Sequence, residues 1–159
     1  MKFLQVIIIC FTVVFSSMAQ DSFIDKMNEA KKTTKEELGD LKYDGSKSTY
    51  FQVRKEVSYK EVEVAIFLRK NYHLFFNGNP TSAKVTVRIY DKPANNPDRI
   101  MLWEVKNISG KQKSVSVEEL KKMYAYYVEN VDNLRSIFVD YEIHKGKPER
   151  GGVVMVLGY

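Results

Sequence analysis

Three regimes of apolar residues succeed one another along this chain. The first has no period: FLQVIIICFTVVF at residues 3–15 is a largely apolar run. The second recurs at helical spacing, with Phe23, Met27, Ala30, Thr34 and Leu38 on one face and Lys and Glu elsewhere. Ser22 is placed to cap this helix, Asp25 to reach back toward the cap, and Gly39 to stop it. KYDGSKS at residues 42–48 then reads as a turn or linker.

From Thr49 the period is two. TYFQVRKEV reads as a strand, and in KEVEVAIFLR the residues Val62, Val64, Ile66 and Leu68 alternate with Glu61, Glu63, Ala65 and Phe67. Ser58 followed by Glu61 also spells a capping box, which would start a helix through residues 59–72. The density of β-branched and aromatic residues favours strand there. A turn is expected at Lys70 and Asn71, and YHLFF continues the strand pattern until NGNP breaks it. In AKVTVRIYD, Val85, Val87 and Ile89 face one way, and Lys84, Thr86, Arg88 and Tyr90 the other. KPANNP is a loop, and DRIMLWEVKN a further strand.

Ser116 and Glu119 form a second capping box, opening a helix whose stripe is Leu120, Met123, Tyr124, Tyr127, Val128 and Val131, with Tyr126 outward. SIFVDYEIH is a strand with Ile137, Val139, Tyr141 and Ile143 on one face. VVMVLGY closes the chain as a strand apolar on both faces, which belongs in a sheet interior. The fold class is therefore α+β: a mostly antiparallel β-sheet or sandwich of about seven strands, with one packed helix and an N-terminal helix.

Composition sharpens this picture at the N-terminus. Met1, Lys2, the apolar run and the small residues Ser17 and Ala19 have the three parts of a secretory signal, and resemble ordinary bacterial Sec signals. The run is shorter than the ~20 residues of a membrane-spanning helix. Cleavage is expected after Ala19, and a periplasmic or secreted destination with it. Residues 20–45 then form the N-terminal helix and linker, and residues 46–159 a single α+β domain. The only cysteine, Cys10, lies mid-run rather than at a lipoprotein cleavage point, so it leaves with the signal. Disulfides and thiolate chemistry are thereby excluded from the mature chain. Removing residues 1–19, whose one charged side chain is Lys2, lowers the net charge from +5 to +4. That falls short of the dense basic stripe that marks a nucleic-acid binder.

Candidate chemistry is sparse. His73 and His144 are the only histidines. Asp140, Glu142 and His144 alternate along one strand, so all three project from one face and form the candidate acid–base set. Same-face neighbours stand ~6.5 Å apart, which is wide for ligands of one ion. A two-histidine phosphodiesterase signature fails at both His73-Leu74-Phe75 and His144-Lys145-Gly146, and no nucleophile elbow, zinc-protease helix or phosphate-binding glycine loop occurs. YDKPANNPD resembles the calcium loops of C2-type sandwiches. That resemblance implies Asp91 and Asp98 as hard-oxygen ligands, but the second aspartate cluster of such domains is missing. Lys84, Arg88 and Tyr90 form a basic and aromatic strand face suited to a glycan or an anionic partner.

No cofactor is implied. The reading is an exported, non-enzymatic binding or assembly module, an accessory subunit of a bacterial outer-membrane secretion or transport complex. It would recognise partners through a strand face or edge, with the N-terminal helix as a second contact. The alternatives are a small hydrolase using Asp140, Glu142 and His144, or a small apolar-ligand carrier whose sheet encloses an apolar pocket, for which the fluorescence of Trp103 would report binding.

Overall fold

The computed structural model describes residues 22–66 and 71–159. The expected signal, with Cys10 and the cleavage site at Ala19, lies outside the described residues, as do Phe67, Leu68 and Lys70 of the expected second strand and its turn. A helix, α1, covers 22–36. Eight strands and a second helix follow: β1 (Tyr43–Gln52), β2 (Ser58–Ala65), β3 (His73–Asn77), β4 (Val85–Tyr90), β5 (Met101–Val105), β6 (Gln112–Ser116), α2 (Val117–Tyr124), β7 (Ser136–Ile143) and β8 (Arg150–Gly158).

The strands form two four-stranded antiparallel sheets, ordered β1-β8-β3-β6 and β2-β7-β4-β5. This is an α+β sandwich. Alternation along the strands builds the core between the sheets: Val85, Val87 and Ile89 of β4 and Ile137, Val139, Tyr141 and Ile143 of β7 meet Leu74 and Phe76 of β3 and Val153, Met155 and Leu157 of β8. Each such side chain contributes about 1.5–3 kcal/mol by leaving water. Trp103 closes one flank with its ring stacked on Phe76 at 5.5 Å.

The terminal strand does lie in the sheet interior, between β1 and β3, because both of its faces are used. Val154 and Val156 point away from the main core into a second cluster with Met27, Ala30 and Leu38 of the N-terminal segment. The expected stripe of α1 is thus the face that docks on the first sheet. Gly152 and Gly158 let it come close: a Cβ on Gly152 would lie 2.5 Å from the Met27 sulfur, and one on Gly158 2.5 Å from Leu38 Cδ2. Asn77, buried, donates from Nδ2 to the carbonyl of Ala30 (3.3 Å) and to Thr34 Oγ1 (3.0 Å), while its Oδ1 accepts from the amide of Asn79 (2.9 Å). Lys35 Nζ lies 4.0 Å from the centre of the Tyr43 ring and ties the helix to β1.

Several elements differ from the sequence expectation. Residues 43–48, read as turn, are the first half of β1, since β8 needs a partner along its whole length and pairs from Tyr43↔Gly158 to Gln52↔Arg150. The turn residues Asp44 and Gly45 are absorbed by an irregularity in register between Tyr43 and Gly45. Residues 58–65 are strand, and Glu61 accepts from the Ala94 amide instead of closing a capping box. β6 was not expected: QKSVS is a polar edge strand with only Val115 buried. Ser22 lies within α1 rather than capping it. Ser116 and Glu119 do form their capping box, but α2 stops at Tyr124, leaving Tyr127 62% exposed where the stripe put it inside. Tyr126 is outward as expected, 82% exposed.

Candidate functional site

The residues singled out from the sequence lie mostly on the outer face of the second sheet. Asp140, Glu142 and His144 do share one face of β7 and its extension, and each is engaged. Asp140 Oδ2 accepts from Arg99 Nη1 at 2.7 Å, and Glu142 Oε2 from Arg88 Nη1 at 2.5 Å. His144 Nε2 lies 3.1 Å from Thr86 Oγ1 and 3.5 Å from Glu142 Oε1. Arg88 is shared, since its Nε also donates to Glu104 at 2.8 Å. The hydrogen bond to Glu142 is the main cause raising the guanidinium above its ordinary pKa. Tyr90 is covered by Arg99, whose guanidinium carbon sits 3.8 Å from the ring centre. Lys84 is exposed just before β4, and its carbonyl accepts from the His144 amide at 3.0 Å. The sheet therefore carries a ladder of structural ion pairs where the sequence suggested free acid–base or binding groups.

Within this ladder Glu61 of β2 faces Asp140 across the strand pair. Burial, and in addition the Asp140 carboxylate, push the Glu61 carboxyl above its ordinary pKa, against the hydrogen bond from Ala94 and the charge of Arg99. The loop at 91–98 also carries its own cation. Asp91 Oδ1 accepts from the Ile100 amide at 2.6 Å, and Lys92 Nζ lies 4.0 Å from Asp91 Oδ2 and donates to the Asp98 carbonyl at 3.1 Å. Among the described residues no group of three or more His, Cys, Asp or Glu side chains could hold a metal ion.

The open chemistry lies elsewhere, beside the first turns of α1. A groove of about 680 Å³ runs between α1 and the adjoining ends of β1 and β2, lined by Phe23, Ile24, Tyr50, Gln52, Arg54, Tyr59, Lys60 and Arg150 among others. It continues past Phe23 into a second depression of about 580 Å³ lined by Lys26, Asn79, Thr81, Ser82 and Glu149. Tyr50 is held edge-to-face against Phe23, with ring centres 6.1 Å apart at 72°. It is still 54% exposed, and Tyr59 is 64% exposed. Lys26, Arg54, Lys60 and Arg150 are exposed and have no ion pair among the described residues. The acid of the groove, Glu149, accepts from the Ser82 hydroxyl at 2.5 Å. The lining thus combines four aromatic rings, those of Phe23, Tyr50, Phe51 and Tyr59, with a surplus of positive charge that has no ion pair among the described residues.

Sequence reasoning passed over these residues because they come from segments far apart in the chain. One signal was present: in β1, Thr49 and Phe51 are buried while Tyr50 and Gln52 are exposed, so Tyr50 is an aromatic on the polar phase of a strand.

The class these observations define is an α+β sandwich with a helix-flanked surface groove. No protein-family model matches the chain, and no curated protein matches it. Among solved structures it is similar to a pilus protein of Bacillus endospore appendages, at 10% identity and a TM-score of 0.40 over 76% of this chain and 90% of that one. It is also similar to PirA, at 10% identity and a TM-score of 0.43 over 74% and 98%. A third is a carbohydrate-binding module of endoglucanase Cel5A from Eubacterium cellulosolvens, at 14% identity and a TM-score of 0.40 over 75% and 97%. These are distant likenesses between chains.

Proposed function

We propose that this chain is an exported, non-enzymatic binding module of a bacterial cell envelope. It works as an accessory subunit of an outer-membrane secretion or transport assembly, and the α1 groove is the surface that recognises its target. The observation that carries this reading is the contrast in availability. Asp140 and Glu142 of the second sheet are held in ion pairs, whereas Arg54, Lys60 and Arg150 of the groove have no ion pair among the described residues and the rings of Tyr50 and Tyr59 stay exposed. Exposed aromatic and arginine side chains gathered in one concavity are the composition of a recognition site, and a surplus of one charge draws an oppositely charged target to it.

The test is recovery of a C-terminally tagged full chain, at native expression, from gently solubilised envelopes, quantified by mass spectrometry. The wild type is expected in stoichiometric company with a membrane complex, and recovery alone as a soluble monomer would overturn the accessory-subunit reading. The double variant Tyr59→Ala, Arg150→Glu is expected to lower retention on intact envelopes at least about tenfold, a loss of ~1.4 kcal/mol. Unchanged retention would remove the groove from the reading.

A further inference from the structure

We infer that the target held in the groove is a linear polysaccharide bearing carboxylates; this rests on the groove being the recognition surface. The first argument is the form of the aromatic surface. Tyr50 and Tyr59 offer their rings at an open groove and do not close a side-chain pocket, and Phe23 braces Tyr50 from the side. A pyranose ring has an apolar face of C–H groups and a rim of hydroxyls. An exposed tyrosine matches both, with an apolar body for the face and a phenol at the wet end. Gln52 and Ser58, which also line the groove, supply donors and acceptors for the hydroxyl rim.

The second argument is charge. Arg54, Lys60 and Arg150 surround the rings without a counter-ion among the described residues, so a neutral sugar would leave them unused. A guanidinium fork pairs with a carboxylate through two parallel hydrogen bonds, which makes a uronic-acid unit a better match than a neutral hexose. The third is extent. The groove continues around Phe23 into the depression beside Lys26 and Arg150, giving a path longer than one sugar unit with cations along it.

An acidic peptide would satisfy the charge alone. Extended peptides gain most of their affinity by pairing with a free strand edge. Here the free edge of β2 is occupied in part, because Lys47 reaches across from β1 and its Nζ donates to the Glu63 carbonyl at 2.7 Å. Positively charged lysines on an edge are a known way of denying it to another strand.

Affinity electrophoresis of the full chain in native gels containing polygalacturonate, dextran or poly-L-glutamate, followed by calorimetric titration with the retained polymer, tests this. Retardation is expected with polygalacturonate and absent with dextran and poly-L-glutamate. Tyr50→Ala and Tyr59→Ala, checked for wild-type melting temperature, should each weaken polygalacturonate binding up to about tenfold. Arg150→Gln should weaken it and reduce its salt dependence. Equal retardation by polygalacturonate and poly-L-glutamate would overturn the inference in favour of charge alone, as would binding that survives both tyrosine substitutions. Loss of envelope retention in the groove variants together with no polygalacturonate binding would overturn the polysaccharide while leaving the groove as the recognition surface. Retention that ignores the groove variants would overturn the underlying reading itself.

Discussion

The outer faces of the two sheets begin from the same pleated geometry and end differently. On the first sheet the outward positions of β8 are Gly152, Val154, Val156 and Gly158, a strip that is apolar or has no side chain. Left bare, it would expose a long hydrophobic surface, and α1 covers it. On the second sheet the outward positions of β7 and β4 are Asp140, Glu142, Thr86 and Arg88, and among the described residues no helix lies over them. Their charges are neutralised by Arg88 and Arg99, each serving more than one carboxylate. One face is closed by burial, the other by ion pairing. The groove forms where the covered face stops, at the start of α1, so the proposed recognition surface lies at the border of the two solutions and on neither.

The largest effect should come from forcing α1 off its seat. In Gly152→Ala the new Cβ meets the tip of the Met27 side chain, which can swing aside, so the cost should be small. In Gly152→Val the branched carbons fill the seat itself. Met27 is fully buried, so a shift of its tip that admits one carbon does not admit three, and overpacking of this kind costs about 2–3 kcal/mol. Denaturant unfolding measures the loss, and hydrogen exchange should show the amides of α1 opening ahead of those of β8. Equal stability of the valine variant and the wild type would mean that the helix contributes little to holding the first sheet.

A smaller effect is expected on the uncovered face. Arg88→Met keeps the aliphatic stem and deletes the charge shared by Glu104 and Glu142. Both carboxylates are half-buried, so the loss should be about 1–2 kcal/mol near neutral pH and should shrink in high salt. A double-mutant cycle with Glu142→Gln isolates the pair. A coupling indistinguishable from zero would reduce the ladder to surface decoration, and with it the contrast between the faces.

How far the sequence made this legible depends on whether a pattern was local. β4, β7 and β8 were legible because their alternation, or its absence in β8, is written within one strand. The stripe of α1 was legible because its Met27, Ala30 and Thr34 repeat at helical spacing. β1 began earlier than expected because its first half is polar, and pairing with β8 rather than propensity makes it a strand. β6 was hidden for the same reason, with one buried residue and a neighbouring strand supplying the order. The acid–base trio was correctly placed on one face, but its partners Arg88, Arg99 and Thr86 come from other segments, so sequence spacing could not reveal that the charges were already spent. The groove was the least legible feature, because Phe23, Tyr50, Tyr59 and Arg150 become neighbours only when α1 is seated.

The finest test of the contrast is Glu61→Gln. The folded state holds the Glu61 carboxyl above its ordinary value of 4.5, through burial and then the nearby Asp140 charge. A carboxyl raised in this way binds its proton more tightly in the folded chain than in the unfolded one. Its contribution to stability is therefore present in acid and is lost as pH rises from 4.5 through the folded value. Glutamine removes that titration while keeping an oxygen to accept from the Ala94 amide, which lies 2.7 Å from the glutamate. It gives up only the long contact of 3.9 Å to Arg99, which retains Asp140 at 2.7 Å and the Tyr90 ring. Relative to the wild type, the variant should thus gain a little stability as pH rises above 4.5, read as a small upward shift of the unfolding midpoint. A shift in the opposite direction would mean that Arg99 needs both carboxylates. The uncovered face would then be short of negative charge, and the crowding of Glu61 against Asp140 would be what holds Arg99 in place over Tyr90.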